Sequence, residues 1–310
     1  MRKRRAVGLL SFGLDSRLAY AVMKRAGFEI QPVYIDMGFC ACDIHRFFSG
    51  WGDEESIYEN LIIIDAFNRF KDILINPRFG YGKNLNPCID CKIMMFMLAR
   101  EIMEESSMDL IFTGEVKGQR MMSQINRNMN IIEREAGTRG KVFRPLSAKL
   151  FEPVELEREG LIEKSRFYGF FGKSRKPQIK LAEALNIRNF PSPSGGCLLT
   201  YRGFSRKAGE LLSFYGPDKI TRQNVSLLKT GRHFFIYDSL HAIIGRNQDE
   251  NNRLMAVKNA DWILTPADEK GPCSIIFEKK PCETAMEKCR SLVRRYSDNN
   301  PDILQYRIPG

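Results

Sequence analysis

The turn at residues 11–16, SFGLDS, carries side chains whose types and spacing suit the binding of an anion. An apolar stretch, AVGLL, ends at Leu10, and helical spacing of apolar residues begins at Ser16, so the turn joins a strand to a helix. The backbone N–H groups at such a helix start bind anions, and serine hydroxyls add donors. Asp15 would repel a phosphate, so it fits either a magnesium ion bound to a nucleotide or a helix cap.

Cysteines form a second candidate group. Cys88 and Cys91 make a C-x-x-C at the start of a predicted helix, where the helix N-terminus is expected to favour the thiolate. Cys197 follows two glycines, which allow the backbone to approach a cofactor closely. Three thiols could hold three irons of a [4Fe–4S] cluster and leave the fourth iron open. A redox pair beside a loop thiol, or a zinc site, would use the same cysteines.

The elements that must position these residues alternate between strand and helix. Strand patterns at AVGLL, EIQPVYID, NLIIIDA, LIFTGE and KVFRPLS are separated by helical patterns, of which CIDCKIMMFMLAREIMEE is the longest. This order predicts an α/β fold with a doubly wound parallel sheet, whose ligands bind beyond the carboxyl ends of the strands. Those ends fall at residues 11–16, 36–42, 113–120 and 145–149.

The pattern changes after about residue 200. Short strand patterns (HFFIYD, HAIIGRN, SIIFEK) alternate with turns, and a helical pattern, ETAMEKCRSLVRRYS, follows. We therefore predict a first domain over residues 1–200, a linker over 201–224 and a smaller α+β domain over 225–310.

Composition and charge narrow the class of protein. No apolar run reaches the length of about 18 residues that a membrane helix needs, and the apolar stretch after Arg5 is too short for a signal peptide. We expect a cytoplasmic protein with reduced cysteines, in which Cys40 and Cys42, with His45, form an incidental C-x-C rather than a metal site. The net charge of +11 favours a polyanionic partner, although a basic surface alone would explain it.

Two motifs carry a resemblance to known proteins. SFGLDS resembles the S-G-G-x-D-S loop of the PP-loop ATP pyrophosphatases, whose fold is adenine nucleotide alpha hydrolase-like. Residues 112–124, FTGEVKGQRMMSQ, resemble the T-G-E-x-x-G-Q-x-x-S-Q segment of ThiI-type tRNA 4-thiouridine synthases. With the three cysteines, residues 6–200 look like the tRNA thiolation group of ThiI, MnmA and TtuA. Phe12 departs from the loop pattern, and we expect it to keep a negative φ with its ring turned away from the nucleotide.

The resemblance implies an ATP-dependent tRNA sulfurtransferase. In that group ATP is cut between the α and β phosphates, a uridine carbonyl oxygen is adenylated and sulfur displaces AMP, which explains why the turn lacks the Walker lysine. The sulfur comes from sulfide at a three-cysteine [4Fe–4S] cluster, which the cysteine pattern favours, or from a persulfide carrier. The sequence does not determine which uridine is modified, what donates the sulfur or whether the protein forms a homodimer.

Site roles carry over from the matching motifs. The ATP-binding residues that match the motifs are Ser11, Gly13, Asp15, Ser16, Thr113, Gly114 and Gln119. Asp36 is added to them because it lies at the end of a predicted strand. Asp15 holds Mg²⁺ as well. The cluster ligands are Cys88, Cys91 and Cys197, and the catalytic residues are Asp15, Cys88 and Cys197.

Two stretches are expected to hold tRNA. Residues 164–180 interleave basic and aromatic residues that suit phosphates and splayed bases, although a solvated helix face with buried aromatics fits too. Residues 225–300 contain IGRNQDEN and resemble NFACT-R RNA-binding modules. We expect no THUMP-like segment ahead of residue 6. The predicted contacts are Lys173, Arg175, Lys176, Arg232, Arg246 and Asn247.

Two other functions fit the sequence. A PP-loop enzyme could adenylate a small molecule, in which case pyrophosphate release would not depend on tRNA. A non-catalytic RNA-binding protein could retain a decayed nucleotide fold, for which Phe12 is the best support.

Overall fold

The computed structural model describes residues 4–40, 60–188, 190, 196–267, 270–279, 282–298 and 301–308. The chain divides into two compact units, Met1–Thr200 and Tyr201–Gly310. Residues 201–224, which the sequence suggests as a linker, contain the helix Arg202–Tyr215 and the start of the helix Arg222–Leu227, and they belong to the second unit. No helix in the described part of the chain is long and apolar enough to cross a membrane.

A parallel sheet forms the centre of the first unit. Its strands are β1 (Arg4–Leu9), β2 (Phe28–Asp36), β3 (Ile62–Asp65), β4 (Leu110–Thr113) and β5 (Val142–Phe143). They lie in the order β3-β2-β1-β4-β5, and every neighbouring pair is parallel. The predicted parallel α/β sheet is thus confirmed. Since β2 and β4 flank β1, the segments that follow these three strands meet at one edge of the sheet.

Helices cover both faces of this sheet. Ala6 and Val7 are neighbours on β1 and so point to opposite faces, yet both are fully buried. The described helices are α1 (Leu14–Arg25), α2 (Phe67–Ile75), α3 (Cys88–Glu105), α4 (Asn126–Ala136), α5 (Glu155–Arg158) and α6 (Lys176–Ala184), with 3₁₀ turns at Ala148–Leu150, Lys164–Arg166 and Leu198–Thr200.

The second unit is built on an antiparallel sheet. Its strands are β6 (Arg232–Ile236), β7 (Leu240–Ile244), β8 (Trp262–Pro266), β9 (Ser274–Glu278) and β10 (Ile303–Arg307). They lie in the order β10-β8-β9-β7-β6. Its helices are α7 (Arg202–Tyr215), α8 (Arg222–Leu227), α9 (Gln248–Met255) and α10 (Glu283–Arg295), with a 3₁₀ turn at Pro217–Lys219. The apolar side of α10 shares one core with the sheet, which confirms the predicted α+β class.

Candidate functional site

The SFGLDS turn lies at the carboxyl end of β1 and is closed by Ser16. The Ser16 hydroxyl donates to the Gly13 carbonyl oxygen at 2.9 Å and accepts from the Ser11 backbone N–H at 3.3 Å. The hydrogen of Ser16 is therefore committed within the turn. Ser11 is exposed, with its Oγ 3.4 Å from Ser16 Oγ. The sequence predicts that both serines donate hydrogen bonds to a phosphate. In the structure Ser16 shapes the turn, and Ser11 presents its hydroxyl at the surface.

Phe12 adopts a left-handed backbone conformation, with a φ of +56°. The predicted negative φ at this position is therefore wrong. The Phe12 ring is 1% exposed and packs against Tyr34 at a centroid distance of 5.4 Å. The left-handed conformation costs a non-glycine residue about 1–2 kcal/mol, whereas burial of a phenylalanine side chain contributes about 1.5–3 kcal/mol. Burial of the ring thus offsets the strain, and the turn keeps a backbone shape that normally favours glycine.

Asp15 lies in the first turn of α1 and is held by groups from two other segments. Its Oδ2 atom accepts a hydrogen bond from Gln119 Nε2 at 2.7 Å, and Arg175 Nη2 lies 3.7 Å from the same oxygen. Its Oδ1 atom is buried and has no hydrogen-bond partner among the described residues. Divalent cations take oxygen ligands, so this open carboxylate oxygen fits the predicted magnesium ion.

Gly114 allows the backbone that follows β4 to approach α1. A Cβ atom at this position would lie 2.5 Å from the carbonyl carbon and oxygen of Asp15 and 2.6 Å from the backbone nitrogen of Ser16. Any side chain there would push the two segments apart. This close approach brings Gly114 and Gln119, which sequence reasoning placed on the nucleotide side, to the SFGLDS turn.

Thr113 belongs to a buried ionic cluster centred on Glu115. The Glu115 carboxylate lies 3.2 Å from Lys92 Nζ and 3.1 Å from Arg144 Nε, and it accepts a hydrogen bond from Thr113 Oγ1 at 3.3 Å. Burial acts to raise the pKa of Glu115, but the two cations outweigh burial and lower the pKa. The Thr113 hydroxyl is therefore committed to a cluster that ties the end of β4 to α3. ATP contact by Thr113 stays a prediction.

Asp36 ends β2 at the same edge of the sheet as the SFGLDS turn. Its Oδ1 atom accepts a hydrogen bond from the Gly38 backbone N–H at 2.8 Å, which shapes the turn after the strand. This turn leads the chain toward Cys40. The structure thus gives Asp36 a local structural role, and its contact with ATP stays a prediction.

Helix α6 contributes two side chains to the Asp15 network. Gln178 is fully buried, and its Nε2 atom donates to Gln119 Oε1 at 2.9 Å. Arg175 is the N-cap residue of α6 and lies beside Asp15. Sequence reasoning assigned Arg175 to RNA and missed Gln178, because no local pattern indicates which helix face meets the turn.

The three predicted sulfur-handling cysteines gather near the end of β2. Cys88 and Cys91 lie in the first turn of α3, and Cys91 Sγ lies 3.3 Å from the Sδ atom of Met37, which directly follows β2. Cys197 Sγ lies 3.7 Å from Asn86 Oδ1, just before α3 begins. The C-x-x-C and the distant third cysteine therefore meet at the edge of the sheet that also carries the SFGLDS turn.

Burial controls the protonation of these thiols. It raises the pKa of Cys91 well above the ordinary value, and the neighbouring thiols of Cys88, Cys197 and Cys40 raise it further. Burial also raises the pKa of Cys197 to about 11. The expected thiolate is therefore wrong for Cys91, because desolvation outweighs the effect of the helix start. A metal that binds these sulfurs must displace their protons.

Cys40 is a fourth thiol at this place, to which sequence reasoning assigned no role. It lies directly opposite Cys197 in an antiparallel β-bridge. The Leu198 N–H donates to the Phe39 carbonyl oxygen at 3.1 Å, so the two cysteines form a non-hydrogen-bonded pair. In pairs of this kind the Cα atoms typically lie about 4.5 Å apart. Cys42 and His45, the neighbours considered in the sequence, lie outside the described residues.

The donor set at this place consists of thiols, which suit iron–sulfur and zinc chemistry alike. Within the described residues, no group of three or more His, Cys, Asp or Glu side chains is arranged to hold a metal ion. An iron–sulfur cluster makes a different demand, because each cysteine binds a different iron and the thiols need not converge on one point. The sulfur ligands of Cys88, Cys91 and Cys197 therefore fit the predicted [4Fe–4S] cluster by their chemistry.

We expect mild oxidation of the metal-free protein to join Cys40 to Cys197. The Cα separation typical of such a pair, about 4.5 Å, falls within the range of about 4.4–6.8 Å that disulfides require. Oxidised glutathione supplies the oxidant, and mass spectrometry of proteolytic peptides identifies the linked pair. Cys40→Ser should abolish the link and Cys282→Ser, in the second unit, should not. A Cys88–Cys91 link formed in place of the expected one would contradict the pairing.

The predicted RNA contacts of the second unit have intramolecular partners. Arg246 Nε lies 3.0 and 2.9 Å from the two carboxylate oxygens of Glu250, and Asn247 Oδ1 accepts from the Glu250 backbone N–H at 3.0 Å, which caps α9. Arg232 lies over the Tyr296 ring, 4.4 Å from its centroid. The Arg246 side chain remains 49% exposed. The GRN motif thus builds the start of α9, and its contact with RNA stays a prediction.

Acid is expected to destabilise the second unit through a buried histidine pair. His233 Nδ1 lies 2.9 Å from His241 Nε2. Burial lowers the pKa of His233 to about 4 and lowers that of His241 well below its usual value. From about pH 6.5 to about pH 4 the unfolded chain binds more protons than the folded one, so the free energy of unfolding falls as the pH drops. Urea unfolding of a Trp51→Phe variant, followed by Trp262 fluorescence, measures this loss, and a midpoint independent of pH would contradict it.

Comparison with known proteins gives matches in both units. The family model described as Thiamine biosynthesis protein (ThiI) matches residues 2–159, and the model described as NFACT protein RNA binding domain matches residues 231–305. A probable tRNA sulfurtransferase from Thermococcus kodakarensis is 28% identical over 181 residues, which cover 57% of this chain and 44% of the relative. The chain thus spans less than half the length of this curated relative.

Two solved structures also align with the chain. A 4-thiouridine synthetase in complex with RNA and ATP is 21% identical with a TM-score of 0.37, over 73% of this chain and 51% of its own. A predicted tRNA methyltransferase subunit from Methanocaldococcus jannaschii is 12% identical with a TM-score of 0.35, over 71% of this chain and 92% of its own. Scores this low carry no conclusion about function. The ThiI model, in contrast, spans just over half of the 310 residues, and the chain therefore belongs to the ThiI family.

Proposed function

We propose that this protein is a cytoplasmic, ATP-dependent tRNA sulfurtransferase, which replaces a uridine carbonyl oxygen with sulfur. One observation carries the proposal. The SFGLDS turn with its open Asp15 Oδ1 follows β1, and the thiols of Cys88, Cys91 and Cys197 gather where β2 ends and α3 begins. A nucleotide turn and a group of thiols at one edge of one sheet are what activation by ATP followed by sulfur transfer requires.

The turn would serve the nucleotide step. The uridine oxygen attacks the α-phosphorus of ATP, the bond from this phosphorus to the bridging oxygen breaks, and pyrophosphate leaves. The exposed Ser11 hydroxyl and the N–H groups at the start of α1 would bind the phosphate oxygens. A magnesium ion at Asp15 Oδ1 would supply positive charge against the phosphates.

The thiols would serve the sulfur step. Adenylation makes the uridine oxygen a good leaving group, because it departs as part of AMP when sulfur adds to the ring carbon and the C–O bond breaks. Cys88, Cys91 and Cys197 are the residues that would hold a [4Fe–4S] cluster, which when bound supplies an open iron for sulfide. A persulfide carried to the same thiols is the alternative donor.

The charge of the chain supports tRNA as the partner. Lys173 and Lys176 are exposed beside Arg175 at the start of α6, and the net charge is +11. The match of residues 231–305 to an RNA-binding domain model supports a second contact region.

The decisive experiment supplies anaerobic protein with ATP, magnesium, sulfide and total tRNA. AMP should form, and mass spectrometry of tRNA nucleosides should find a thiouridine. β,γ-Methylene-ATP should support the reaction and α,β-methylene-ATP should not, because the cut lies between the α and β phosphates. AMP formation that is independent of tRNA would indicate a small-molecule substrate, and tRNA binding without AMP formation would indicate a non-catalytic protein. Either result would overturn the proposal.

A further inference from the structure

Two side-chain hydrogen bonds in series connect Gln178 of α6 to Gln119 and Gln119 to Asp15, and donors and acceptors can be arranged along this series in only one direction. An ionised carboxylate accepts hydrogen bonds and cannot donate, so Gln119 must present Nε2 to Asp15 Oδ2, at 2.7 Å. Gln119 Oε1 then faces α6, and Gln178 must present its own Nε2 to it, at 2.9 Å. The charge on Asp15 therefore orients two amides in series. Conversely, Gln178 fixes the amide that restrains Asp15.

At each of the two ends of this series of hydrogen bonds, one buried acceptor atom has no hydrogen-bond partner in the described part of the chain. Asp15 Oδ1 and Gln178 Oε1 have no hydrogen-bond partner among the described residues. Buried polar atoms without a partner are rare in native proteins, because the loss of their hydration is left uncompensated. An uncompensated carboxylate oxygen beside a turn that suits phosphates is therefore expected to have a ligand.

The contacts to Asp15 are one-sided. Gln119 donates to Oδ2, and the guanidinium of Arg175 lies 3.7 Å from the same Oδ2. Both partners thus hold one oxygen and leave Oδ1 open. Gln178 itself is fully buried, so its amide is shielded from water and its orientation depends on Gln119.

We propose that Gln178 is a positioning residue that, through Gln119, holds the Asp15 carboxylate with Oδ2 engaged and Oδ1 open to the divalent cation of a bound ATP. This inference rests on the proposed function, since the cation is that of the nucleotide. It also moves Arg175 from the predicted RNA surface to the nucleotide turn. Helix α6 is then part of the ATP site.

Two variants of similar size test the positioning role. Gln178→Met keeps the length of the side chain but cannot orient the Gln119 amide. Gln178→Glu keeps the shape, and at a pH that ionises the new carboxyl it only accepts, so Gln119 must turn Nε2 toward it and away from Asp15. At lower pH the protonated carboxyl donates to Gln119 Oε1 as the amide does, so the effect of this variant should grow as the pH rises. A residue that merely fills space would tolerate Gln178→Met, which is therefore the variant that separates positioning from packing.

Calorimetric titration of the full chain with ATP, in magnesium and in EDTA and without tRNA, tests the inference. Both variants should weaken binding of Mg·ATP about tenfold, which corresponds to about 1.4 kcal/mol, and leave binding of ATP in EDTA unchanged. Glu183→Gln changes an exposed residue of the same helix and should match the wild type. Thermal unfolding establishes that each variant is folded.

The outcomes distinguish the inference from the function on which it rests. Wild-type binding of Mg·ATP by Gln178→Met would overturn the positioning role alone. An equal loss in magnesium and in EDTA would also overturn it, because the role would then be general packing. Absence of Mg·ATP binding in the wild-type protein would overturn the inference and the proposed function together.

Discussion

Asp15→Ala is expected to lower tRNA-dependent pyrophosphate release at least a thousandfold, which is about 4 kcal/mol of transition-state stabilisation. The variant loses the carboxylate whose Oδ1 is open to the cation that accompanies ATP. The fold should persist, because Oδ1 has no hydrogen-bond partner among the described residues and the loss of Oδ2 removes only the Gln119 hydrogen bond and the longer ion pair with Arg175. An unpaired amide of this kind costs about 1–3 kcal/mol.

Pyrophosphate release measures the loss of activity, and circular dichroism measures whether the fold persists. Asp72→Ala is the matched control, since Asp72 is an exposed carboxylate on α2. It should retain full turnover. Full turnover by Asp15→Ala would refute the assignment of the SFGLDS turn to ATP, and loss of the fold in that variant would refute the view that Asp15 serves the ligand rather than the structure.

Cys197→Ala is expected to abolish thiolation of tRNA while pyrophosphate release continues. Cys197 comes from a segment far along the chain from Cys88 and Cys91, yet its sulfur lies near Asn86, just before α3. Removal of this thiol leaves the Asp15 network intact, because no contact of Asp15, Gln119 or Gln178 involves Cys197 in the described structure. Activation and sulfur transfer should therefore separate in this variant.

Iron content after anaerobic reconstitution provides the second measurement for Cys197→Ala. A three-cysteine cluster that loses one ligand should hold much less iron than the wild type. Cys282→Ala, which changes a cysteine of the second unit, should hold as much as the wild type. Unchanged cluster content in Cys197→Ala would show that the ligand set is wrong, and continued thiolation would exclude Cys197 from the sulfur step.

The α/β architecture was predictable because its signals are local. Apolar periodicity located β1, β2, β4, α1 and α3, and the glycine at position 137 ends α4 in the left-handed conformation, with a φ of +66°. The alternation of strands and helices was enough to place the SFGLDS turn, Asp36 and residues 113–120 at one edge of a parallel sheet.

Two local expectations failed because burial overrode them. Phe12 takes a positive φ, since its ring finds a place in the core against Tyr34. The pKa of Cys91 is raised although the residue lies at a helix start, since desolvation exceeds the effect of the helix. In both cases the local rule holds for an exposed residue, and the sequence does not state that the residue is buried.

The sequence alone thus determined the strands of the parallel sheet, the helices α1, α3 and α4, and the side chains offered by the SFGLDS turn and the C-x-x-C, since each depends on neighbours within a few residues. Packing alone decided that Cys40 faces Cys197, that Gln178 reaches Asp15 through Gln119, and that Arg175 lies at the SFGLDS turn. These contacts join positions far apart in the chain. They follow from how segments dock on the sheet, and no local periodicity records that docking.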